Sequence, residues 1–294
     1  MRMDMISPRE LLKELEKRPR KRLGQHFLVH RHSVEKILKF AELTSEDIVL
    51  EIGAGLGALT VPIAERVTRL YAVEVDSELV RMLKEKVIPE DLQSKVEIIE
   101  EDVLKLDIEN LAKKIPGKLK ILGNLPYNIS SPILFKLWDK SDVIEKAILM
   151  LQVEVAERLV ARPGTKDYGI LTVLFGYRAN VKKGFTLKPE EFYPVPKVGS
   201  MVVSIDFDIE KVPAKLSPEE GKLFVQVVKT AFGQRRKMLR RSLLGLGPGI
   251  KDHLPAIFET SGIAPDARPE TLSVDDFCRL TKKISQCYQK PSQR

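Results

Sequence analysis

Between residues 47 and 151 the chain alternates between two apolar patterns. Short, nearly unbroken apolar runs occur at 47–52, 70–75, 96–99, 119–122 and 146–151. They are strand-length and several end at glycine or an acid, as fully buried strands do. The stretches between them carry helical spacing, as at 58–67. Strand, helix, strand in this rhythm predicts a parallel sheet covered on both faces. A helical stretch at 168–177 then leads to two strand-like segments, 181–186 and 200–207, with no helix between them. These are expected to pair antiparallel at the sheet edge.

Upstream, Ser7-Pro8-Arg9-Glu10 is a capping box that predicts a short helix to about Lys17, and a second helix is expected over 33–41. Ser131-Pro132 reads as a helix start with serine as the cap and proline at the first position. Downstream of a proline-containing connector, Ser217-Pro218-Glu219-Glu220 opens a region that is helical to the end, with breaks at 245–249 and 265–269 and a last helix starting at Ser273. The pattern predicts an N-terminal extension (1–20), an α/β domain (21–208) and a smaller all-helical domain (209–294).

The length of 294 residues supports two domains, because a single core stops growing at about that size. With 43% hydrophobic and 31% charged residues and no long apolar run, no membrane span is expected, and the charged N-terminus lacks the apolar core of a signal peptide. A cytoplasmic location follows as the expectation. The net charge of +8 points to a polyanionic partner. The basic run 18–22 reads either as a solvated linker or as a phosphate-contacting arm. Two cysteines, Cys278 and Cys287, form no zinc or redox motif and are expected to pack, and no metal site is expected.

Two stretches carry chemistry. Gly123-Asn124-Leu125-Pro126-Tyr127-Asn128 follows the fourth apolar run, at the strand end where open α/β sheets bind ligands. The Asn124 side chain and the Leu125 carbonyl, stiffened by the proline after it, offer two acceptors that suit an amino group. Tyr127 offers a face on which a base stacks. The second stretch, Gly53-Ala54-Gly55-Leu56-Gly57, follows the first run and has neither the Walker nor the dinucleotide spacing. Glu51 precedes it, Glu74 ends the second strand and Asp102 ends the third. So many acids would repel a triphosphate; they suit an uncharged ribose and a cationic sulfonium with an ammonium group, the chemistry of S-adenosylmethionine.

These motifs together resemble the small-subunit ribosomal RNA adenine dimethyltransferases, the family that confers kasugamycin sensitivity. The resemblance rests on Gly24-Gln25-His26-Phe27-Leu28, Glu51 to Gly57, Glu74-Val75-Asp76, Asp102, Asn124-Leu125-Pro126-Tyr127, Phe192 to Ser200, Phe232 to Lys237 and Arg268 to Leu272, in the family's order along nearly the whole chain. It implies a Rossmann-like methyltransferase sheet followed by a helical domain. It also implies that His26, Leu28, Gly53, Glu74, Asp102 and Asn124 hold the cofactor, and that Asn124, Leu125 and Tyr127 seat the amine, with Phe192 as a second stacking face. His26 stands where relatives often have asparagine. The implied substrate is a pair of adjacent adenosines near the 3′ end of small-subunit (16S) RNA, each dimethylated on N6, in the immature subunit, with the enzyme a monomer. Lys229, Arg235, Arg236, Lys237, Arg240 and Arg241 are expected to form an RNA-binding helix face. The rivals are an enzyme acting on large-subunit RNA and a non-catalytic nucleic-acid-binding factor.

Overall fold

A computed structural model of the protein describes residues 7–14, 16–208, 216–234 and 237–289. The chain divides into two compact units, one of residues 1–156 and 181–208 and the other of residues 157–180 and 209–294.

The first unit begins with α1 (Pro8–Glu14), β1 (Phe27–Leu28) and α2 (Arg31–Ala41). The strands β2 (Ile48–Ile52), β3 (Arg69–Glu74), β4 (Val96–Glu100), β5 (Leu119–Asn124) and β6 (Ile144–Gln152) are parallel. Between them lie α3 (Thr60–Ala64), α4 (Ser77–Met82), α5 (Ile108–Ala112) and α6 (Ser130–Asp139), and α7 (Val153–Leu159) follows β6. After β7 (Asn180–Leu187) and β8 (Phe192–Tyr193), the strand β9 (Ser200–Asp206) joins antiparallel to β6. The seven-stranded order is β4-β3-β2-β5-β6-β9-β7, so β9 and β7 are neighbours at one edge.

Every position of β2 is buried, because helices cover both faces of a central parallel strand; this is why its sequence is an unbroken apolar run. At the outer edges charge returns: β4 carries Glu97 and Glu100, and β7 carries Lys182 and Lys183, which guard exposed strand edges against pairing. From β2 the chain moves outward to β3 and β4, then returns to place β5 on the other side of β2. The order reverses between β2 and β5, and the crevice at their carboxyl ends is where such sheets bind ligands. Gly53 follows one of these strands and Asn124 ends the other.

The structure departs from the sequence expectations in four places. α3 is one and a half turns, not ten residues. α6 starts at Ser130 rather than after a Ser131 cap, because the Ser130 hydroxyl turns back to donate to the Pro126 carbonyl (3.1 Å). Within the expected extension 1–20, Leu11 and Leu12 of α1 belong to the hydrophobic core of the first unit. The segment 157–180, expected inside the α/β domain, belongs to the helical unit. Its helix α8 (Ile170–Arg178) is apolar almost all round, and it packs on α9 (Pro218–Gly233) and α12 (Val274–Gln289) of that unit.

In that second unit the Ser217–Glu220 capping box forms as expected, with Ser217 N–H donating to the Glu220 carboxylate (2.8 Å) and Glu220 N–H to the Ser217 hydroxyl (3.2 Å). Phe224, Val227, Val228, Phe277, Cys278 and Leu280 form its buried core. Burial pushes the Cys278 thiol up to about 12, so it stays a neutral packing group. Two shorter helices, α10 (Leu239–Ser242) and α11 (Leu254–Ser261), complete the unit's α-helices among the described residues.

Candidate active site

A cleft opens at the carboxyl ends of β2 and β5, and Glu51, Gly53, Gly55, Glu74, Asp102 and Asn124 are among its lining residues. The glycine loop forms one wall. Gly53 N–H and Ala54 N–H both donate to the Val73 carbonyl (2.9 and 3.1 Å), which ties the loop to β3. Gly55 has φ +58°, and a Cβ there would sit 3.2 Å from the Phe27 ring. Gly57 has φ +81°, and a Cβ would meet Val87 at 2.6 Å. Side chains at either position would strain the backbone and press on these neighbours.

Glu74 organises the corner beside the loop. One carboxylate oxygen accepts from Gly55 N–H and the other from Val75 N–H and Asp76 N–H, all at 2.9 Å. Burial raises its pKa, opposed by these three backbone donors. A carboxylate has about four acceptor directions, so one remains on the oxygen that meets Gly55. Glu51 is 1% exposed, and its Oε2 is buried without a hydrogen-bond partner. Burial pushes its carboxyl up to about 7, against the opposing influence of the Thr60 hydroxyl, and the neighbouring Glu74 charge pushes the same way as burial. Asp102 lies at the rim, where its side chain accepts from Leu104 N–H (2.9 Å).

The opposite wall is a strap, residues 23–28, held at both ends. At one end Asp76, buried at the start of α4, accepts from Lys17 Nζ (2.7 Å) and Gln25 Nε2 (3.3 Å), with Arg20 Nε at 3.4 Å. Glu78 adds a second carboxylate to Lys17, and Gln25 Oε1 accepts from Arg20 N–H (2.8 Å). At the other end β1 pairs antiparallel with β8. Of the basic run, Arg20 is therefore engaged with carboxylates, while Arg18, Lys21 and Arg22 are exposed.

The strap reaches the loop after β5 through His26. Asn124 Nδ2 donates to the His26 backbone carbonyl (2.7 Å), which leaves Oδ1 as the acceptor of that amide. The His26 ring stacks on Tyr127 (centroids 5.3 Å apart, 27° between planes), and its Nδ1 donates to the Pro194 carbonyl (2.7 Å). The Tyr127 hydroxyl is 2.7 Å from Ser200 Oγ, and burial raises its pKa. The loop backbone is pinned by Leu125 N–H to the Met150 carbonyl (3.2 Å) and Ile129 N–H to the Pro126 carbonyl (3.1 Å).

The structure thus brings His26, Leu28, Gly53, Glu74, Asp102, Asn124, Leu125 and Tyr127 to one cleft. Phe192 is not among them and is corrected here: it is 1% exposed, pairs with Leu28 and belongs to the core. Alternation along β8 turns Phe192 inward and leaves Tyr193 partly exposed. In the second unit Lys237, Arg240 and Arg241 are exposed, but they do not continue the face of α9, which ends at Gly233; α10 starts afresh at Leu239. Arg235 and Arg236 lie outside the described residues. Sequence reasoning missed Asp76 as the anchor of the strap, although it stood inside the quoted Glu74-Val75-Asp76, and missed Ser200 as the partner of Tyr127.

The residues present suit S-adenosylmethionine on two structural grounds. Glu51 presents a buried carboxyl oxygen without a hydrogen-bond partner at the cleft wall, a partner for a cation, and Gly53 and Gly55, both lining the cleft at positive φ, keep that wall free of side chains.

The chain is similar to known proteins along most of its length. The family model described as ribosomal RNA adenine dimethylase matches residues 16–286. "Ribosomal RNA small subunit methyltransferase A" of Desulfotalea psychrophila is 43% identical over 284 residues, covering 94% of each chain. The protein of the same name from Geobacter metallireducens is 42% identical over 269 residues, 91% of this chain and 96% of that one. Among solved structures, a dimethyladenosine transferase from Plasmodium falciparum superposes with TM-score 0.71 at 25% identity, covering 89% of this chain and 98% of that one. The 23S rRNA methyltransferase ErmE superposes with TM-score 0.65 at 25% identity, over 88% and 100%.

Proposed function

The chain belongs to the ribosomal RNA adenine dimethylase family, and from that premise we propose that it dimethylates the exocyclic N6 of two adjacent adenosines near the 3′ end of small-subunit ribosomal RNA. S-adenosylmethionine, the methyl donor, supplies an electrophilic carbon bound to a positively charged sulfur. Glu51, Gly53, Glu74, Asp102, Leu28 and His26 are the residues that would hold it. Its substrate form is the immature small subunit, met in the cytoplasm by a single copy of the enzyme.

The observation that carries this reading is the fixed orientation of the Asn124 amide. Adenine's amine is a poor nucleophile because its lone pair is delocalised into the ring. With Nδ2 committed to the His26 carbonyl, Oδ1 accepts one amine hydrogen and the Leu125 carbonyl accepts the other. Both bonds favour a pyramidal nitrogen with a localised lone pair. Tyr127, fixed through Ser200 and backed by His26, presents its ring to the extruded base. Burial holds the Tyr127 phenol in its neutral form, so it serves as a platform and not as a base. No strong base is required, because the amine sheds its proton to solvent once it has become cationic. Orientation supplies much of the acceleration; well-aligned reactants gain about 7–11 kcal/mol.

Asn124→Ala tests the reading. Cofactor binding by calorimetry should remain measurable, while methyl transfer to small-subunit RNA, read by mass spectrometry of its adenosines, should fall by about 100-fold or more, the scale seen when one oriented polar group is removed from a reaction centre. Full activity in this variant would refute it.

A further inference from the structure

Among the described residues of the first unit, three large apolar side chains are exposed: Val75 at 49%, Val195 at 56% and Val198 at 46%. Val75 lines the cleft itself. The other two sit on the segment between β8 and β9, with exposed Lys197 between them. This segment is fastened to the amine seat at both ends. Pro194, the residue before Val195, accepts from the His26 ring through its carbonyl (2.7 Å). Ser200, two residues after Val198, meets the Tyr127 hydroxyl (2.7 Å). His26 and Tyr127 are stacked on each other, and the valines stand one and two residues along the chain from Pro194 and Ser200, the partners that fix these two rings. Successive Cα atoms are about 3.8 Å apart, which keeps this tip within a nucleotide's reach of the platform.

Apolar groups beside a polar catalytic loop gain free energy when a partner takes them out of water. Pro196, between them in the chain, is buried, which fixes the tip's backbone and leaves the valines projecting. The geometry points to Val195 and Val198 as an apolar wedge that covers the base next to the target adenosine, with Lys197 on the adjoining phosphate. The inference rests on the function proposed above. When one of two stacked adenosines swings into the seat, its neighbour loses a stacking partner on one face; an apolar side chain there lowers the cost of extrusion, as wedge residues do when they enter a base step. A partner of this chemistry, apolar base face beside anionic phosphate, matches the valine–lysine–valine order.

The test uses the full-length enzyme and a small-subunit RNA stem-loop in which one target adenosine is replaced by 2-aminopurine, whose fluorescence rises when it leaves the stack. The parent should raise that fluorescence on binding. Val195→Ser/Val198→Ser should lose most of the rise and lower kcat on the unmodified stem-loop about tenfold, with thermal stability and cofactor affinity unchanged. On an RNA with an abasic site beside the target, parent and variant should transfer methyl groups equally, because no neighbour remains to be covered. Lys197→Ala should reduce the salt slope of RNA binding by about 0.7, the share of one phosphate on a single strand. A variant that flips and methylates the stem-loop like the parent overturns the wedge. So does an equal loss on the abasic RNA, which would place the valines in the seat itself. If the parent transfers no methyl to any of these RNAs, it is the proposed function that fails.

Discussion

Glu51 offers a stability measurement in which the sign itself is diagnostic. Its carboxyl is buried at the end of β2 with one oxygen unpartnered, and its pKa stands at about 7 instead of 4.5. The native state therefore holds a proton that the unfolded chain releases. Between pH 4.5 and 7 the unfolded state binds fewer protons, so stability falls as pH rises through that window and levels off above it. At about 1.4 kcal/mol per unit, the full loss is about 3 kcal/mol. Glu51→Gln keeps the shape of the protonated acid and cannot ionise. The variant should match the parent near pH 4.5 and be more stable by up to about 3 kcal/mol at pH 8. For a unit of this size that is a rise of roughly 6–12 °C in Tm. Thermal denaturation of ligand-free protein at the two pH values reads it directly. With S-adenosylmethionine added at pH 8 the order should reverse in part, because an ionised Glu51 gains a cation to face and the glutamine does not. A Tm difference that is the same at pH 4.5 and pH 8, or a variant less stable at pH 8, would refute the picture of a carboxyl held neutral by burial.

Other perturbations address the strap and the helical unit. Asp76→Ala should release the strap, since it removes charge-assisted hydrogen bonds of about 1.5–3 kcal/mol each; cofactor affinity measured by calorimetry should weaken about tenfold or more, and trypsin should cut between Lys17 and Arg22 faster, whereas equal cleavage rates would show that Asp76 does not hold it. Gly57→Val should collapse cofactor binding through the clash with Val87 and the positive φ, and a titration that finds parent-like affinity would count against the glycine wall. Reversing Lys237, Arg240 and Arg241 to glutamate should flatten the salt dependence of RNA binding by about 0.7 per phosphate lost, and an unchanged slope would remove this cluster from the RNA interface.

Local pattern and local chemistry were enough for the parallel sheet, the capping box at Ser217, the packing role of Cys278, and the assignment of Glu74, Asp102 and Asn124 to one cleft edge. A buried central strand has to be apolar throughout, and strand ends in such a sheet converge, so each of these follows from neighbours in the chain. The amide orientation of Asn124 was not readable, because it is set by a carbonyl 98 residues away in sequence. Phe192 looked like a stacking face until the β1–β8 pairing turned it into the core. By its position in the chain the helical stretch at 168–177 falls in the α/β domain, yet its near-continuous apolar surface is satisfied by α9 and α12 in the helical unit. The strap on Asp76 and the exposed valines beside the seat were likewise invisible. Sequence periodicity says which face of an element must be buried, but not against which partner; that choice is made by long-range packing, and here it decides how the reactive groups are aimed.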